Sequence, residues 1–200
     1  MKYFFTFLIF LSITLNPLLT FADEVVLAGG CFWCLEHDLE SLNGVNYVES
    51  GYSGGSLQNP TYENHVGHQE VVFINYDENL IDFKDILRLY LRNIDPLDDG
   101  GQFCDRGDSY IPVIFFDNEQ EENQSRAALL SASKELKLPL KKIKVALKSK
   151  SKFWPAEDYH QNFAVNNELK YKFYRFTCGR DQKLEQLWGE NARSIDLWNE

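Results

Sequence analysis

Residues 24–34 read Glu24-Val25-Val26-Leu27-Ala28-Gly29-Gly30-Cys31-Phe32-Trp33-Cys34. A short apolar, β-branched run ends on two glycines. A cysteine follows where Phe32, Leu35, Leu39 and Leu42 fall near helical spacing,. The stretch is a strand, a tight turn and a helix start. Asn43-Gly44 breaks that helix, and residues 45–52 read as a second strand. Gly54-Gly55 and Asn59-Pro60 mark 53–67 as loop. Residues 69–76 are a nearly unbroken apolar strand. From 82 to 91, Phe83, Ile86, Leu87, Tyr90 and Leu91 form the stripe of a surface helix,. A polar, glycine-bearing loop over 93–109 is long enough to suggest function. Residues 110–116 read as strand, 118–136 as helix and 143–147 as strand.

The resulting order, β-α-β-β-α-β followed by α-β, predicts an α+β fold. It is a two-layer α/β plait with a ferredoxin-like βαββαβ core. Residues 149–200 carry ten aromatics without a clean period and one short helix near 182–188. They are expected to be a wrapping, mostly irregular C-terminal segment. We expect one catalytic domain over 23–200, with the core at 23–148 and the wrap at 149–200. Ahead of it, residues 1–22 resemble a secretory signal: Lys2, an apolar run from Tyr3 to Leu15, and Thr20-Phe21-Ala22 before the cut,. The run is too short for a comfortable membrane span. An exported, periplasmic protein is the expectation.

The chain has 200 residues, with 20 Lys+Arg against 30 Asp+Glu and a net charge of −10. That excess of negative charge argues against nucleic acid or an anionic membrane surface as a partner. An apolar content of 44% is too high for disorder,. Four cysteines, Cys31, Cys34, Cys104 and Cys178, are too few for a disulfide scaffold in a chain of this size,. The spacing of Cys104 and Cys178 offers no second close pair for a zinc site. No metal and no organic cofactor are expected, and a monomer is.

Cys31 at a helix start meets free N–H groups and the positive end of the helix dipole, both of which favour a thiolate. Lowering its pKa from ~8.5 to ~7 would raise the thiolate fraction at neutral pH from about 3% to about 50%. Cys34 lies one turn on, in a Cys-x-x-Cys spacing that also fits a general thiol-disulfide oxidoreductase. Glu70 opens the apolar strand, where burial would keep its carboxyl protonated. Tyr62 and Tyr110 are phenols at loop-strand junctions, Asp105 sits in the polar loop, and His65, His68 and His160 read as surface residues or as residues that support the site from one layer out.

Six ordered motifs together resemble A-type peptide methionine sulfoxide reductases. They are Gly30-Cys31-Phe32-Trp33, Gly51-Tyr52-Ser53-Gly54-Gly55, Asn59-Pro60-Thr61-Tyr62, Gly67-His68-Gln69-Glu70, Gln102-Phe103-Cys104-Asp105-Arg106-Gly107 and Asp158-Tyr159-His160-Gln161. The resemblance implies that Cys31 is catalytic. It implies that Phe32 and Trp33 hold the substrate's S-methyl group, that Tyr62, Glu70 and Tyr110 surround the sulfoxide oxygen, and that Asp105 lies near the substrate. The implied substrate is methionine S-sulfoxide, free or in proteins. The implied cycle runs through a Cys31 sulfenic acid that a second thiol condenses to a disulfide, with a thioredoxin-like dithiol as electron donor. Cys178, in Thr177-Cys178-Gly179-Arg180, is the first choice as resolving cysteine because a mobile tail could reach Cys31. Cys34 and Cys104 are the alternatives. Besides the general oxidoreductase, the competing reading is a non-enzymatic exported domain with two structural disulfides.

Overall fold

A computed structural model describes residues 22–196. Most of the expected signal segment lies outside these residues. The elements are β1 (Ala22–Ala28), α1 (Phe32–Glu40), β2 (Val45–Ser53), β3 (Gln69–Asp77) and α2 (Phe83–Leu91). Then come β4 (Gly101–Gln102), β5 (Asp105–Arg106), β6 (Val113–Phe116), α3 (Glu119–Glu135), β7 (Ala146–Ser149) and β8 (Trp154–Pro155). Three helices close the chain: α4 (Phe163–Asn166), α5 (Glu168–Thr177) and α6 (Arg180–Trp188). The fold is mixed α/β, built on a six-stranded sheet of order β7-β6-β1-β3-β2-β8. Pairing is antiparallel except for β6 with β7. No described helix is long and apolar enough to cross a membrane.

The period of two along each strand sorts the core into two faces. Val25 and Leu27 of β1, and Val72 and Ile74 of β3, pack with Leu35 and Leu39 of α1, with Ile86, Leu87 and Tyr90 of α2, and with Leu129 and Ala132 of α3. Val26, Ala28, Val71, Val113 and Phe115 form a smaller cluster on the other face. The same alternation puts Glu70 on the helical side, two residues before Val72, and this parity brings its carboxyl beneath the start of α1. Helix ends follow local chemistry. Asp82 caps α2 by accepting the Asp85 N–H at 2.8 Å, and Asn118 caps α3 through the Glu121 N–H at 3.0 Å,.

Three expectations change. The stretch read as loop over 93–109 contains the β4–β5 hairpin, whose two-residue turn starts at Phe103 with φ 54. The strand expected at 143–147 lies at Ala146–Ser149, because Leu140–Lys142 first form a 3-10 turn. The C-terminal segment is not mostly irregular: α4, α5 and α6 occupy much of it. Its period was hidden because α5 points Tyr171 inward while Leu169, Phe173 and Phe176 stay exposed. Apolar residues on both sides of a helix leave no stripe to read.

Glu36 of α1 is 1% exposed, and its carboxylate faces the Ser50 hydroxyl and the backbone N–H groups of Asn162 and Phe163. Burial pushes its pKa up to about 7, against the pull of those donors,. A raised carboxyl supports the fold most at low pH and loses that contribution as pH rises through the folded-state value. Urea unfolding of Glu36→Gln is expected to show the variant gaining about 1–3 kcal/mol on the wild type between pH 5 and pH 8. A pH-independent difference would remove Glu36 as the titrating group.

Candidate active site

The turn joining β1 to α1 leaves no room for side chains. A Cβ on Gly29 would lie 2.7 Å from Ile94 Cγ2, and one on Gly30, at φ +84, would lie 2.6 Å from Gln102 Cβ,. Gln102 is fully buried. Its side-chain oxygen accepts the Asp95 N–H at 2.7 Å and its amide donates to the Asp95 carbonyl at 2.8 Å. This brace draws the β4–β5 hairpin, and with it Asp105, against the start of α1.

Cys31 is the N-cap of α1, with φ −54 and ψ 119, and Cys34 is the third helical residue. Phe32 donates its N–H to Glu70 Oε2 at 3.1 Å. A small pocket forms there, lined by Cys31, Phe32, Trp33, Tyr62, Glu70, Asp105, Tyr110 and Tyr174. All seven catalytic and substrate-binding candidates from the sequence therefore meet in one place. They come from the α1 start, the loop after β2, the second residue of β3, the β4–β5 hairpin and the 3-10 turn Asp108–Tyr110.

Glu70 is 2% exposed, and burial raises its carboxyl to about 8, while the Phe32 N–H and the Tyr110 hydroxyl pull the other way,. It is thus a neutral acid at pH 7. Burial likewise holds the Tyr110 and Tyr62 phenols above their ordinary range, so both keep their protons. Asp105 accepts a hydrogen bond from the Tyr174 hydroxyl, and burial raises its pKa too.

Cys31 corrects one expectation. Its sulfur makes no side-chain cap bond to the helix N–H groups, and burial pushes its thiol well up. The resting Cys31 is a thiol hydrogen-bonded to Cys34. That bond, and against burial the nearby Arg180 and Arg175, hold Cys34 below the ordinary thiol range. Of the two sulfurs, Cys34 is the one whose surroundings favour the thiolate.

Trp33 stacks on Phe163 with centroids 3.7 Å apart and planes at 9°, and its Nε1 donates to His160 Nδ1 at 3.1 Å. Of its two readings, His160 is a supporting residue and not a surface one, through a bond to Trp33 that sequence reasoning missed: it is 2% exposed and its ring lies 5.1 Å from Phe32 and 4.5 Å from Tyr62. Accepting from Trp33 at Nδ1 fixes its neutral tautomer, consistent with the lowering of its pKa by burial,. Tyr174 was missed as well. Its signal lay in the Tyr171, Tyr174 spacing, which puts both phenols on one face of α5.

The cysteines form two separate pairs. Cys104 and Cys178 are joined by a disulfide, with Cα atoms 5.0 Å apart, while Cys31 and Cys34 are free and buried. Cys178 ends α5 as its C-cap and is bonded away from Cys31, rather than standing on a mobile tail. Of the three candidate resolving cysteines, Cys34 is the one beside Cys31.

Comparison with known proteins agrees with this geometry. A model of the family described as Peptide methionine sulfoxide reductase matches residues 23–192. The chain is similar to Peptide methionine sulfoxide reductase MsrA 2 of Caulobacter vibrioides, at 44% identity over 84% of this chain and 86% of that one. Among solved structures it resembles methionine sulfoxide reductase A of Corynebacterium diphtheriae, with a TM-score of 0.68, 26% identity, and coverage of 74% of this chain and 76% of that one. Mxr1 from Saccharomyces cerevisiae, solved in complex with Trx2, shares the fold at a TM-score of 0.52 and 18% identity, covering 76% of this chain and 91% of that one. A match over nearly all the described residues, on a chain whose motifs converge on one pocket, shows that this chain belongs to the peptide methionine sulfoxide reductase family.

Proposed function

We propose that the protein reduces the S-sulfoxide of methionine, free or in proteins, and that Cys31 and Glu70 carry the chemistry. The observation that supports this reading is the pairing of a protonated, buried carboxyl with a cysteine sulfur in one small aromatic pocket. A sulfoxide sulfur becomes electrophilic as its oxygen takes a proton. Cys31 sulfur attacks it while Glu70 gives its proton to that oxygen, and the Cys31 proton passes to the Cys34 thiolate. The sulfoxide S–O bond breaks, oxygen ends on Cys31 as a sulfenic acid, and the thioether of methionine is released. Phe32 and Trp33 form the apolar wall for the methyl group, and Tyr62 and Tyr110 hold the oxygen. Asp105 lies across the pocket, where it can accept from the substrate backbone.

Cys34 then attacks the Cys31 sulfenic acid. An S–S bond forms, the S–O bond breaks, and hydroxide leaves with the Cys34 proton as water. A dithiol protein of the thioredoxin type restores the pair by exchange and is itself oxidised; Glu70 recovers its proton. We read the β6-β1-β3-β2 portion of the sheet, with its helices, as a ferredoxin-like plait, and residues 23–200 as one catalytic domain. Residues 1–22 are read as a signal, cleaved after Ala22, that exports a monomeric enzyme to the periplasm.

Cys31→Ser is expected to abolish methionine release from methionine S-sulfoxide in a single turnover. Retained release would end the proposal, and disulfide exchange without sulfoxide turnover would favour a general oxidoreductase. Glu70→Gln is expected to slow that first turnover by about 10²–10⁴. In the wild type the acid form is the active one, so the single-turnover rate should fall as pH rises through about 8. Rapid-quench measurements should show that falling limb vanish in Glu70→Gln.

A further inference from the structure

The buried charges behind α1 have so far entered only through their pull on Cys34. Asp38 lies one turn after Cys34 and so on the same face of α1. Arg175 of α5 donates from Nη1 to both Asp38 oxygens, at 2.8 and 3.0 Å, and to the Tyr171 hydroxyl at 2.7 Å. Its Nε and Nη2 bind Asp181 at 3.0 and 2.7 Å. The side chains of Arg175 and Asp38 are only 11% and 9% exposed. Tyr171, whose hydroxyl oxygen accepts this hydrogen bond from Arg175, sits in a small cluster with Cys31, Cys34 and Ala164. Arg180 comes to 4.0 Å from Asp38 and is itself buried, donating to the Asn93 carbonyl at 2.6 Å. Cys34 is thus faced by Cys31 from the turn, Asp38 from its own helix, and Tyr171, Arg175 and Arg180 from α5 and α6.

A desolvated guanidinium held by two carboxylates is a rigid object, with its donors fixed in a plane. It fixes the helix turn below Cys34 and the phenol beside it. The geometry of the pair makes this useful. Cys31 is an N-cap with non-helical backbone angles, and Cys34 is at the position from which a side chain reaches back to the cap,. Bridging the two sulfurs requires no helical turn to open, provided that α1 and α5 stay in register.

We infer that Arg175 is a positioning residue for the second half of the reaction: by clamping Asp38 and Tyr171 it holds the Cys34 sulfur in place to close onto the Cys31 sulfenic acid. The inference rests on the reading of Cys34 as the resolving cysteine. Chemically, Cys34–S–S–Cys31 forms, the sulfenic S–O bond breaks, and hydroxide leaves with the Cys34 proton as water. Arg175 transfers nothing and touches no substrate.

The test uses the full reduced enzyme mixed with methionine S-sulfoxide. Methionine release, sulfenic acid trapped by a cyclic 1,3-diketone, and the Cys31–Cys34 disulfide are followed by rapid quench and mass spectrometry. Arg175→Met is expected to slow disulfide formation relative to methionine release by about tenfold or more, the change in thiolate fraction that one pKa unit brings. Trapped sulfenic acid should accumulate, the pH profile of disulfide formation should move up, and Arg175→Lys should restore part of the rate. Removing one member of a buried pair can unfold a protein, so Tyr171→Phe, which keeps the ring and loses the oxygen, supplies a second variant with the same expected direction. If folded variants of both kinds lose stability but keep the wild-type ratio of the two rates and its pH profile, Arg175 is only a structural tie and the inference is overturned. Cys34→Ser separates the two levels: a disulfide to Cys31 forming at the wild-type rate in that variant overturns the reading of Cys34 itself.

Discussion

The bond from the Phe32 N–H to the Glu70 carboxyl joins the two halves of this molecule. One partner is the first amide of a helix and the other is a side chain at the start of a central strand. A backbone N–H at a helix start has no partner within the helix and must find one. A carboxyl this deeply buried must also be satisfied or neutral. Each solves the other's problem, and their meeting sets the reacting cysteine one residue away from the acid. The pocket is therefore a by-product of ordinary helix-end chemistry placed on the helical side of a sheet.

Acid and nucleophile are coupled through their shared burial. The low dielectric that keeps Glu70 protonated also opposes ionisation of Cys31,. A lone thiol there would be a poor nucleophile. In the proposed cycle Cys34, which its surroundings favour over Cys31 as the site of charge, accepts the proton that Cys31 gives up. Two protons and one negative charge are thereby distributed over three groups, and the reaction rearranges them without importing charge into the pocket.

Much of this was legible in the sequence where one residue determines one physical outcome. The glycine pair announces a turn that tolerates no Cβ. The apolar run over 69–76 announces a buried strand and, at its start, a buried carboxyl on Glu70. Asp82 and Asn118 announce helix starts. What was not legible depended on partners distant in the chain. The neutral state of Cys31 is set by burial under α4 and α5, and nothing near residue 31 encodes that. Whether His160 lay on the surface or supported the site stayed open, because the choice is made by Trp33, 127 residues earlier. The pairing of Cys104 with Cys178 across 74 residues likewise has no local signal. The C-terminal helices hid behind their own exposed aromatics.

The second sulfur bridge has a different kind of importance. It fastens the hairpin bearing Asp105 to the end of α5, and the bond from Tyr174 to Asp105 lies beside it. Cys104 is exposed, whereas both sulfurs of the reacting pair are buried. Any dithiol arriving from solution thus encounters the outer bridge before the inner one. The molecule has a structural fastening that shares its chemistry with its own fuel, so the integrity of one pocket wall is tied to the redox climate outside.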